Sequence, residues 1–390
     1  MNDPWRETTL GQCFTPVKRK IDPTSLDRTV PYVGLEHVEP NDWSIRNPGA
    51  AGSVTSLVSC FEIEDVLFGR LRPYLCKVAK AEFAGVCSPE ILVLRANNSV
   101  TPGFLHLLAS SDLAIGHAVA LSAGSRMPRT SVEDLASLPV VLPTLPEQRR
   151  IVHLVGAIDD SIQAASTERS ASTQALTALR RNLLAPKPDW RRATLGAVAD
   201  LKIGRTPSRT EPAFWADSTK HPFLTIADLA RWQVGHAREG VTEAAIAQGK
   251  AKAVPPDQLL MSFKLSIGRV GITDRWVYPN EAIVWIKPAV QCRRDYLAHW
   301  LAAQDLTSGT VRAVKGATLN SRSLAAIEVA LPTLERQHEI EGLLEAQRLH
   351  AEACAVALSS LADLRARLIV SLLSGDIEIP ESYDSPLEAV

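Results

Sequence analysis

Two long stretches of the chain carry apolar residues at intervals of three, four and seven positions, which is the spacing of one helix face. The first stretch opens with the segment LPTLPEQ at 142–148 and ends near Leu184. The second opens with LPTLERQ at 331–337, which lies 189 residues further along, and ends near Leu373. The shared opening L-P-x-L-x-x-Q predicts a tandem repeat in which a long helix closes each copy.

A helix with a single apolar stripe gains most of its stability from packing, so each stripe must be covered. A run of about 38 residues at ~1.5 Å per residue would form a rod of roughly 55–60 Å. We expect the two stripes to bury each other; the alternative is that each helix packs on its own domain. The predicted inter-helix packing positions are Ile151, Leu154, Ile158, Ile162, Leu176, Leu179, Leu183, Ile340, Leu343, Leu344, Leu358, Leu361 and Leu368.

The segments before the two helices have the mixed pattern of α/β domains, with short β-prone runs and one shorter helix in each. The opening WRETTLG at 5–11 returns as WRRATLG at 190–196, which supports the repeat. The predicted order is an α/β domain at 1–145, a helix at 146–185, a second α/β domain at 186–333, a second helix at 334–375 and a loose C-terminal tail at 376–390.

Composition narrows the class of protein. Apolar residues make up 46% of the chain and charged residues 22%, with a formal net charge of −1, so no global basic field is present. A local basic stripe would still suffice for a nucleic-acid partner. The six cysteines form no C-x-x-C pair, the N-terminus is polar, and no apolar run approaches the ~18–20 residues that span a bilayer. These features predict a cytoplasmic protein with free thiols and no membrane partner.

Motifs of catalysis do not occur in the sequence. There is no phosphate-binding G-x-x-x-x-G-K-[ST] loop, no dinucleotide-binding G-x-G-x-x-G turn and no G-x-S-x-G nucleophile elbow. The nine histidines form no H-x-x-x-H pair, so no metal site is predicted. We therefore expect a non-catalytic chain without a cofactor of its own.

Basic residues instead recur among turns and aromatic residues in both copies. Arginine forks suit guanine edges and phosphates, and lysines suit phosphates. For each residue the alternative is an ordinary solvated side chain. The candidate DNA-binding residues are Lys18, Arg19, Lys20, Arg70, Arg72, Tyr74, Lys77, Arg126 and Arg129 in the first copy, and Lys202, Arg205, Arg209, Lys264, Arg269, Lys315 and Arg322 in the second.

Several of these residues lie in segments that resemble a known family. The segments DVLFGRLRPYLCKV at 65–78 and GVCSPE at 85–90 resemble one type of target recognition domain in type I restriction–modification specificity subunits. The segments IGRTPSR at 203–209 and SFKLSIGRVG at 262–271 resemble another type, and the two L-P-x-L-x-x-Q openings with LLSGDI at 372–377 resemble the family's spacer helices. Arg205 stands where a second glycine is common in the family.

The resemblance implies an α+β fold, in which two mixed α/β target recognition domains are separated by two long antiparallel coiled-coil helices in a pseudo-twofold tandem repeat. It implies binding of double-stranded DNA with a bipartite sequence, each domain reading one half. The implied partners are DNA adenine methyltransferase (modification) subunits, two in number, and restriction/translocase subunits. S-adenosylmethionine and ATP with magnesium would then belong to those partner subunits. The alternatives are a stand-alone DNA-binding module and an adaptor that joins proteins through its helices.

Overall fold

The computed structural model describes residues 5–40, 43–122, 127–217, 220–306, 311–313 and 316–384. The chain divides into two compact units. The first unit comprises Met1–Ala165 together with Ala357–Val390, and the second comprises Ser166–Val356. The first unit therefore contains both ends of the sequence, because the last part of the second long helix packs on the N-terminal domain.

The described part of the first unit contains two larger sheets, the two-stranded sheet β1-β11 and a group of helices. Its four-stranded sheet has the order β2-β10-β7-β8, and its five-stranded sheet has the order β3-β6-β9-β4-β5. The strands are β1 (Arg6–Thr9), β2 (Phe14–Pro16), β3 (Lys20–Ile21), β4 (Pro31–Val33), β5 (Gly49–Ala50), β6 (Val58–Phe61), β7 (Val66–Gly69), β8 (Val78–Lys80), β9 (Gly85–Cys87), β10 (Ile91–Ala96) and β11 (Pro139–Leu142). The helices are α1 (Pro102–Ser110), α2 (Asp112–Leu121), α3 (Val132–Ala136) and α4 (Leu145–Leu183), which continues into the second unit.

The second unit has a central five-stranded sheet of order β13-β22-β18-β20-β16 and several smaller strand pairs. Its strands are β12 (Arg191–Thr194), β13 (Ala199–Ile203), β14 (Trp215–Ala216), β15 (Phe223–Leu224), β16 (Gln233–Val234), β17 (Gly240–Val241), β18 (Leu259–Ser262), β19 (Lys264–Leu265), β20 (Val270–Thr273), β21 (Tyr278–Pro279), β22 (Ile283–Pro288), β23 (Val311–Ala313), β24 (Gly316–Thr318) and β25 (Glu328–Leu331). Its helices are α5 (Leu195–Val198), α6 (Glu243–Ala247), α7 (Arg294–Ala303), α8 (Ser321–Ala325) and α9 (Leu334–Ser374), which continues into the first unit.

The same two-stranded ribbon leads into each long helix. Strand β1 pairs with β11 and β12 pairs with β25, both antiparallel, and the first strand of each ribbon runs into a short helical turn. A close approach follows in both copies: a Cβ added at Gly11 would lie 2.7 Å from the Cβ of Ala136, and one added at Gly196 would lie 3.0 Å from the Cβ of Ala325. The shared register confirms the repeat and the α+β class that the sequence predicts.

Each long helix packs both on its partner helix and on a domain core. In the first unit, Ile151 of α4 and Leu372 of α9 lie in the same buried cluster as the helices α1 and α2. In the second unit, Leu176 of α4 and Ile340 of α9 lie in the cluster of the central sheet and α7. Both packing modes considered from the sequence are therefore present.

The predicted packing positions divide according to their location along the helices. Leu154 and Leu368 pack against the first core, and Leu179, Leu183 and Leu344 belong to or contact the second. The positions Ile158, Ile162, Leu358 and Leu361 are half-buried. The prediction for Leu343 is wrong, because its side chain is 54% exposed: the buried face of α9 follows Ile340 and Leu344, one turn apart, and Leu343 points to the side of that face.

A fully buried glutamine fixes the start of each long helix. The side-chain oxygen of Gln148 accepts the backbone N–H of Thr101, at 2.8 Å, and its amide donates to the carbonyls of Ser99 and Pro143. Gln337 repeats the three bonds with the N–H of Arg293 and the carbonyls of Gln291 and Pro332. Thr101 and Arg293 are the N-caps of α1 and α7. The last residue of the L-P-x-L-x-x-Q motif thus joins the long helix to the shorter helix before it.

A tryptophan of each domain also stacks under an arginine of a long helix. In the first unit the guanidinium of Arg365 lies 5.3 Å from the ring centre of Trp43, and Arg365 also pairs with Asp159 of α4. In the second unit Arg348 lies 5.5 Å from the ring centre of Trp232. A buried histidine contacts each tryptophan, and burial lowers the pKa of His106 in the first unit to about 4.

The C-terminal segment differs from its prediction as a loose tail. Ile379 is buried, and the carboxylate of Asp384 accepts hydrogen bonds from the guanidinium of Arg150, the shorter of them 2.8 Å long. The hydroxyl of Tyr383 lies 3.0 Å from Nδ1 of His153. Residues 376–384 are therefore anchored on α4, because a buried arginine needs the acid and the carbonyl that this segment supplies. Residues 385–390 lie outside the described part of the chain.

The helices α1 and α7 correspond to the one shorter helix that the sequence predicts in each domain. The hydroxyl of Thr101 caps α1 by accepting the N–H of Phe104, and Pro102 occupies the first helical position. Within the described residues, no single helix is long and apolar enough to cross a membrane; α1 and α2, bent by 55°, reach that threshold only as a pair.

We expect Gln148→Ala to destabilise the first unit. The change leaves the N–H of Thr101 and the carbonyls of Ser99 and Pro143 without partners, which costs roughly 2–4 kcal/mol in the free energy of unfolding. Urea and thermal unfolding, followed by circular dichroism, measure the loss. Gln174→Ala, at an exposed position on the same helix, is the control and should stay within about 0.5 kcal/mol. Equal effects of the two substitutions would contradict the role of Gln148.

Candidate nucleic-acid interface

The two units build the same edge from equivalent hairpins. In the first unit Gly69, at the end of β7, pairs with Ile91, and the N–H of Arg70 donates to the carbonyl of Glu90. In the second unit Ser262 pairs with Ile283. The N–H of Phe263 there donates to the carbonyl of Ala282. Arg70 and Phe263 therefore occupy equivalent positions, where the chain leaves the sheet.

Each hairpin loop contains two residues in the left-handed backbone conformation. The values of φ are 53° at Arg72 and 51° at Cys76 in the first loop, and 63° at Leu265 and 86° at Gly268 in the second. Non-glycine residues adopt this conformation only where the surroundings impose it. In the first loop the imposing contact is the backbone bridge between Leu71 and Arg129. The loop tips are thus fixed in shape and present their side chains in defined directions.

A cation after each loop donates to an internal carbonyl. The ammonium of Lys77 lies 2.6 Å from the carbonyl oxygen of Leu35, and the guanidinium of Arg269 lies 3.4 Å from that of Ile226. Leu35 and Ile226 are each the first residue of a short 3-10 helix. Lys77 and Arg269 are therefore equivalent latches that hold the loop to a neighbouring segment. That they also contact DNA stays a prediction.

Other candidates in the first unit keep their cations available. The Nε of Arg70 is buried and has no hydrogen-bond partner among the described residues. Arg72 is exposed, and within the described ranges its guanidinium forms no hydrogen bond or ion pair. Tyr74, on the same loop, is 53% exposed. Arg70 is half-buried, Arg72 and Tyr74 are exposed, and all three residues lie on the same loop.

The basic run at 18–20 leaves the sheet at the same edge. The N–H of Val17 donates to the carbonyl of Val93, two residues after Ile91 on β10. Lys18, Arg19 and Lys20 follow and are exposed. Arg129 also lies at this edge, but its guanidinium forms two hydrogen bonds with the carboxylate of Glu90, at 2.9 and 3.1 Å. Arg126 lies outside the described residues.

In the second unit a glycine brings the equivalent segment close to the edge. A Cβ added at Gly204 would lie 2.2 Å from the carbonyl oxygens of both Pro279 and Asn280, so only glycine fits there. The next residue, Arg205, donates its N–H to the carbonyl of Pro279, and its guanidinium bonds to the carbonyl of Gly249 at 2.7 Å. Arg205 thus helps to fix this loop.

A carboxylate lies beside the same loop. The hydroxyl of Thr206 donates to the carboxylate of Glu281. Burial raises the pKa of Glu281, but the bond from Thr206 and the nearby cations Lys264 and Arg209 outweigh burial and leave the pKa below its usual value. Glu281 is therefore ionised at neutral pH and can accept a hydrogen bond from a ligand. A carboxylate of this kind can accept from the amino group of cytosine.

Arg209 is fully engaged within the second unit. Its guanidinium forms two 2.7 Å hydrogen bonds with Glu239 and lies 3.6 Å from the ring centre of Trp215. The hydrogen bond from Arg209 lowers the pKa of Glu239. Lys202 pairs with Asp200 at 3.4 Å and lies over the ring of Trp285. The cations of both residues are therefore engaged by contacts within the second unit.

The remaining candidates of the second unit are placed as follows. Lys264 is half-buried beside the ring of Phe263, and Arg322 is exposed on α8. Lys315 lies outside the described residues. Sequence reasoning missed the acids Glu90, Glu239 and Glu281, because an acid carries no local signal of the arginine or threonine that it will meet in the fold. Nothing in the described structure tests which of these residues contact DNA.

Two solved structures share the fold of this chain. A chain from a structure of a type I restriction–modification system has a TM-score of 0.63 with 22% identity, covering 97% of this chain and 100% of its own length. The type I restriction–modification S subunit from M. genitalium has a TM-score of 0.59 with 14% identity, covering 95% and 96%. The fold is thus that of these subunits.

Sequence relatives agree with the fold. The family model of the type I restriction modification DNA specificity domain matches residues 187–346. The specificity subunit of the type I restriction enzyme EcoDI from Escherichia coli is 29% identical over 139 residues, which span 34% of this chain and only 31% of that protein. The HindI specificity subunit from Haemophilus influenzae is 20% identical over 470 aligned positions, spanning 96% of this chain and 99% of that protein. Residues 187–346 thus match a type I restriction modification DNA specificity domain, and the whole chain is similar to type I restriction specificity subunits.

We expect Gly204→Ala to disturb the second interface, because the added methyl group would overlap two backbone oxygens that cannot move independently. The cost is at least about 1–3 kcal/mol in stability, with faster proteolysis of residues 203–209. Gly156→Ala is the matched control: nothing lies within 4 Å of its added Cβ, and alanine favours the helix by about 0.5–1 kcal/mol. A Gly204→Ala protein as stable and protease-resistant as the parent would refute the steric argument.

Proposed function

We propose that this chain is the DNA-recognition subunit of a type I restriction–modification enzyme and that it performs no catalysis itself. Each unit reads one half of a bipartite double-stranded target. The observation that carries the proposal is that both units have the same hairpin at the edge of a sheet. In each hairpin two residues have a left-handed backbone, and a cation after the loop donates to a backbone carbonyl. The similarity of the chain to specificity subunits supports it.

The arrangement supports a division of labour among the cations. The exposed run Lys18, Arg19 and Lys20 suits the phosphate backbone, which positions a protein on the duplex without reading sequence. Arg72 projects from a loop of fixed shape, and a guanidinium fork can read guanine in the major groove. Arg70 has a buried Nε without a partner, and a phosphate or base oxygen would satisfy that donor.

The proposed partners supply the chemistry. Two modification subunits would bind S-adenosylmethionine and methylate adenine, and restriction subunits would use ATP and magnesium for translocation and cleavage. The target adenine would leave the helical stack and enter a modification subunit's pocket, since a methyltransferase cannot reach it inside the duplex. A cytoplasmic location follows from this role. Copurification of the chain with methyltransferase subunits tests the partnership against a stand-alone DNA-binding protein or an adaptor.

Arg72 has an exposed guanidinium, whereas the ammonium of Lys77 donates to a backbone carbonyl, so substitutions of the two residues should have different effects. Arg72→Ala should leave the unfolding midpoint unchanged and weaken DNA binding of the assembled enzyme by roughly 1–3 kcal/mol, with relaxed specificity at one base position. Lys77→Met should also lower the stability of the first unit by about 1–3 kcal/mol, because the carbonyl of Leu35 loses its charged donor. Unfolding curves and binding to DNA libraries measure both.

Arg149→Ala is the control for this pair, since Arg149 is an exposed arginine at the start of α4 in the same unit. It removes the same charge and should alter neither base preference nor stability. The proposed role of Arg72 fails if Arg72→Ala and Arg149→Ala bind every sequence alike.

The long helices are proposed to set the distance between the two recognised half-sites. Inserting four residues after Ala171 adds ~6 Å of helix and about 400° of rotation, so the apolar stripe returns to within ~40° of its register. At ~3.4 Å per base pair, the unread gap should lengthen by about one or two base pairs while the half-site bases stay the same. Genome-wide mapping of methylated adenines, for the parent and the variant, measures both. An active variant with unchanged spacing would show that the helices do not set the distance.

A further inference from the structure

Three side chains with metal-ligating atoms converge where α4 and α9 face each other in the second unit. His350 and Cys354 are four residues apart and lie on one face of α9, and Glu168 faces them from α4. Nε2 of His350 lies 3.9 Å from a carboxylate oxygen of Glu168 and 3.8 Å from the sulfur of Cys354. The three ligand atoms all lie within 4.8 Å of one another, and we call them the interhelix triad.

These separations are close to those of a bound metal. Tetrahedral zinc holds sulfur at ~2.3 Å and nitrogen or oxygen at ~2.0–2.1 Å, which places neighbouring ligand atoms about 3.3–3.6 Å apart. The side chains of Glu168 and His350 are 63% and 52% exposed and can rotate to bring their ligand atoms closer to each other and to the sulfur of Cys354. Cys354 is 7% exposed and is held between the helices, so it provides the fixed point.

The donor set selects a class of metal. A thiolate, an imidazole and a carboxylate suit zinc and the neighbouring transition metals, whereas magnesium and calcium require oxygen ligands. Three protein ligands leave a fourth position for water. The four-residue spacing on a helix is the same that places two histidines on one zinc ion in metalloprotease helices.

The surrounding helix pair lacks the apolar packing that stabilises its ends. Between positions 163 and 175, α4 contains no leucine, isoleucine, valine or aromatic residue. On α9, Leu349 and Val356 flank the triad but are exposed. One hydrogen-bonded contact fixes the register nearby: the amide of Gln347 donates to the carbonyl and the hydroxyl of Ser172, at 3.2 and 3.0 Å. The triad therefore lies where the helices are aligned but weakly packed.

We propose that Glu168, His350 and Cys354 bind a divalent transition metal of the zinc class, which clamps α4 to α9 within the second unit. The ligands come from helices far apart in the sequence, so metal binding stabilises the folded state and not the unfolded chain. This site is separate from DNA recognition, because no residue of the triad belongs to the loop edges described above.

The full-length protein, kept reduced with a non-thiol reductant and freed of metal with a chelator, is titrated with cobalt(II). Binding at the triad gives a thiolate-to-cobalt absorption band that saturates at one equivalent and is displaced by zinc. Cys354→Ser should remove the band. Cys60→Ser is the control and should retain it, because Cys60 is a partly accessible thiol outside the triad. The thiols of Cys13, Cys87 and Cys292 compete poorly, since burial raises their pKa.

The exposed ligands give variants that do not depend on core packing. Glu168→Gln and His350→Gln should each weaken cobalt and zinc binding by more than about 100-fold, which exceeds the loss expected when a residue that only orients a metal ligand is changed. His338→Gln, on an exposed face of the same helix, should bind like the parent. Zinc should raise the unfolding midpoint of the parent and of His338→Gln, but not of the two ligand variants. Failure of the parent to bind one equivalent, or full binding by Cys354→Ser and His350→Gln, would overturn the proposal.

Discussion

The structure depends on the buried glutamine at the start of each long helix. Gln148 and Gln337 each satisfy one backbone N–H and two carbonyls at the point where a strand, a short helix and a long helix meet. A buried amide with three partners is costly to displace, so the direction of each long helix is fixed by its own domain. The apolar stripe then determines which face of that helix the second helix can cover.

The loop edges show why a basic residue is not by itself evidence of DNA binding. Lys77 and Arg269 donate hydrogen bonds to backbone carbonyls of their own unit. Arg129 and Arg209 form ion pairs with carboxylates of their own unit. These bonds hold the loops in shapes that include left-handed residues. The cations that remain available, among them Arg72 and the run at 18–20, would therefore meet a ligand from a rigid support, which would reduce the entropy lost on binding.

Local patterns in the sequence were sufficient for the repeat, the two long helices and the edges where basic residues gather, because each depends on periodicity or on short motifs. They were insufficient where a contact joins distant positions. The bond between Lys77 and Leu35, the anchoring of Asp384 by Arg150 and the pair of Arg209 with Glu239 span 30 to 234 residues. Leu343 shows the same limit within one helix. Its position fits the apolar spacing of α9, but the surface packed against α9 determines which side of the helix is buried, and Leu343 is exposed.

The polar middle of the helix pair connects these observations. Leucine-rich packing gives each unit a stable core, whereas the small and polar residues at 163–175 contribute little apolar burial. Such a segment needs directional contacts to keep one register, and a hydrogen bond between Gln347 and Ser172 provides one. A metal held by Glu168, His350 and Cys354 would provide a second, stronger constraint at the same level. The two contacts differ in one respect. The hydrogen bond between Gln347 and Ser172 needs only the folded chain, whereas a metal clamp would make the rigidity of this segment depend on the supply of metal.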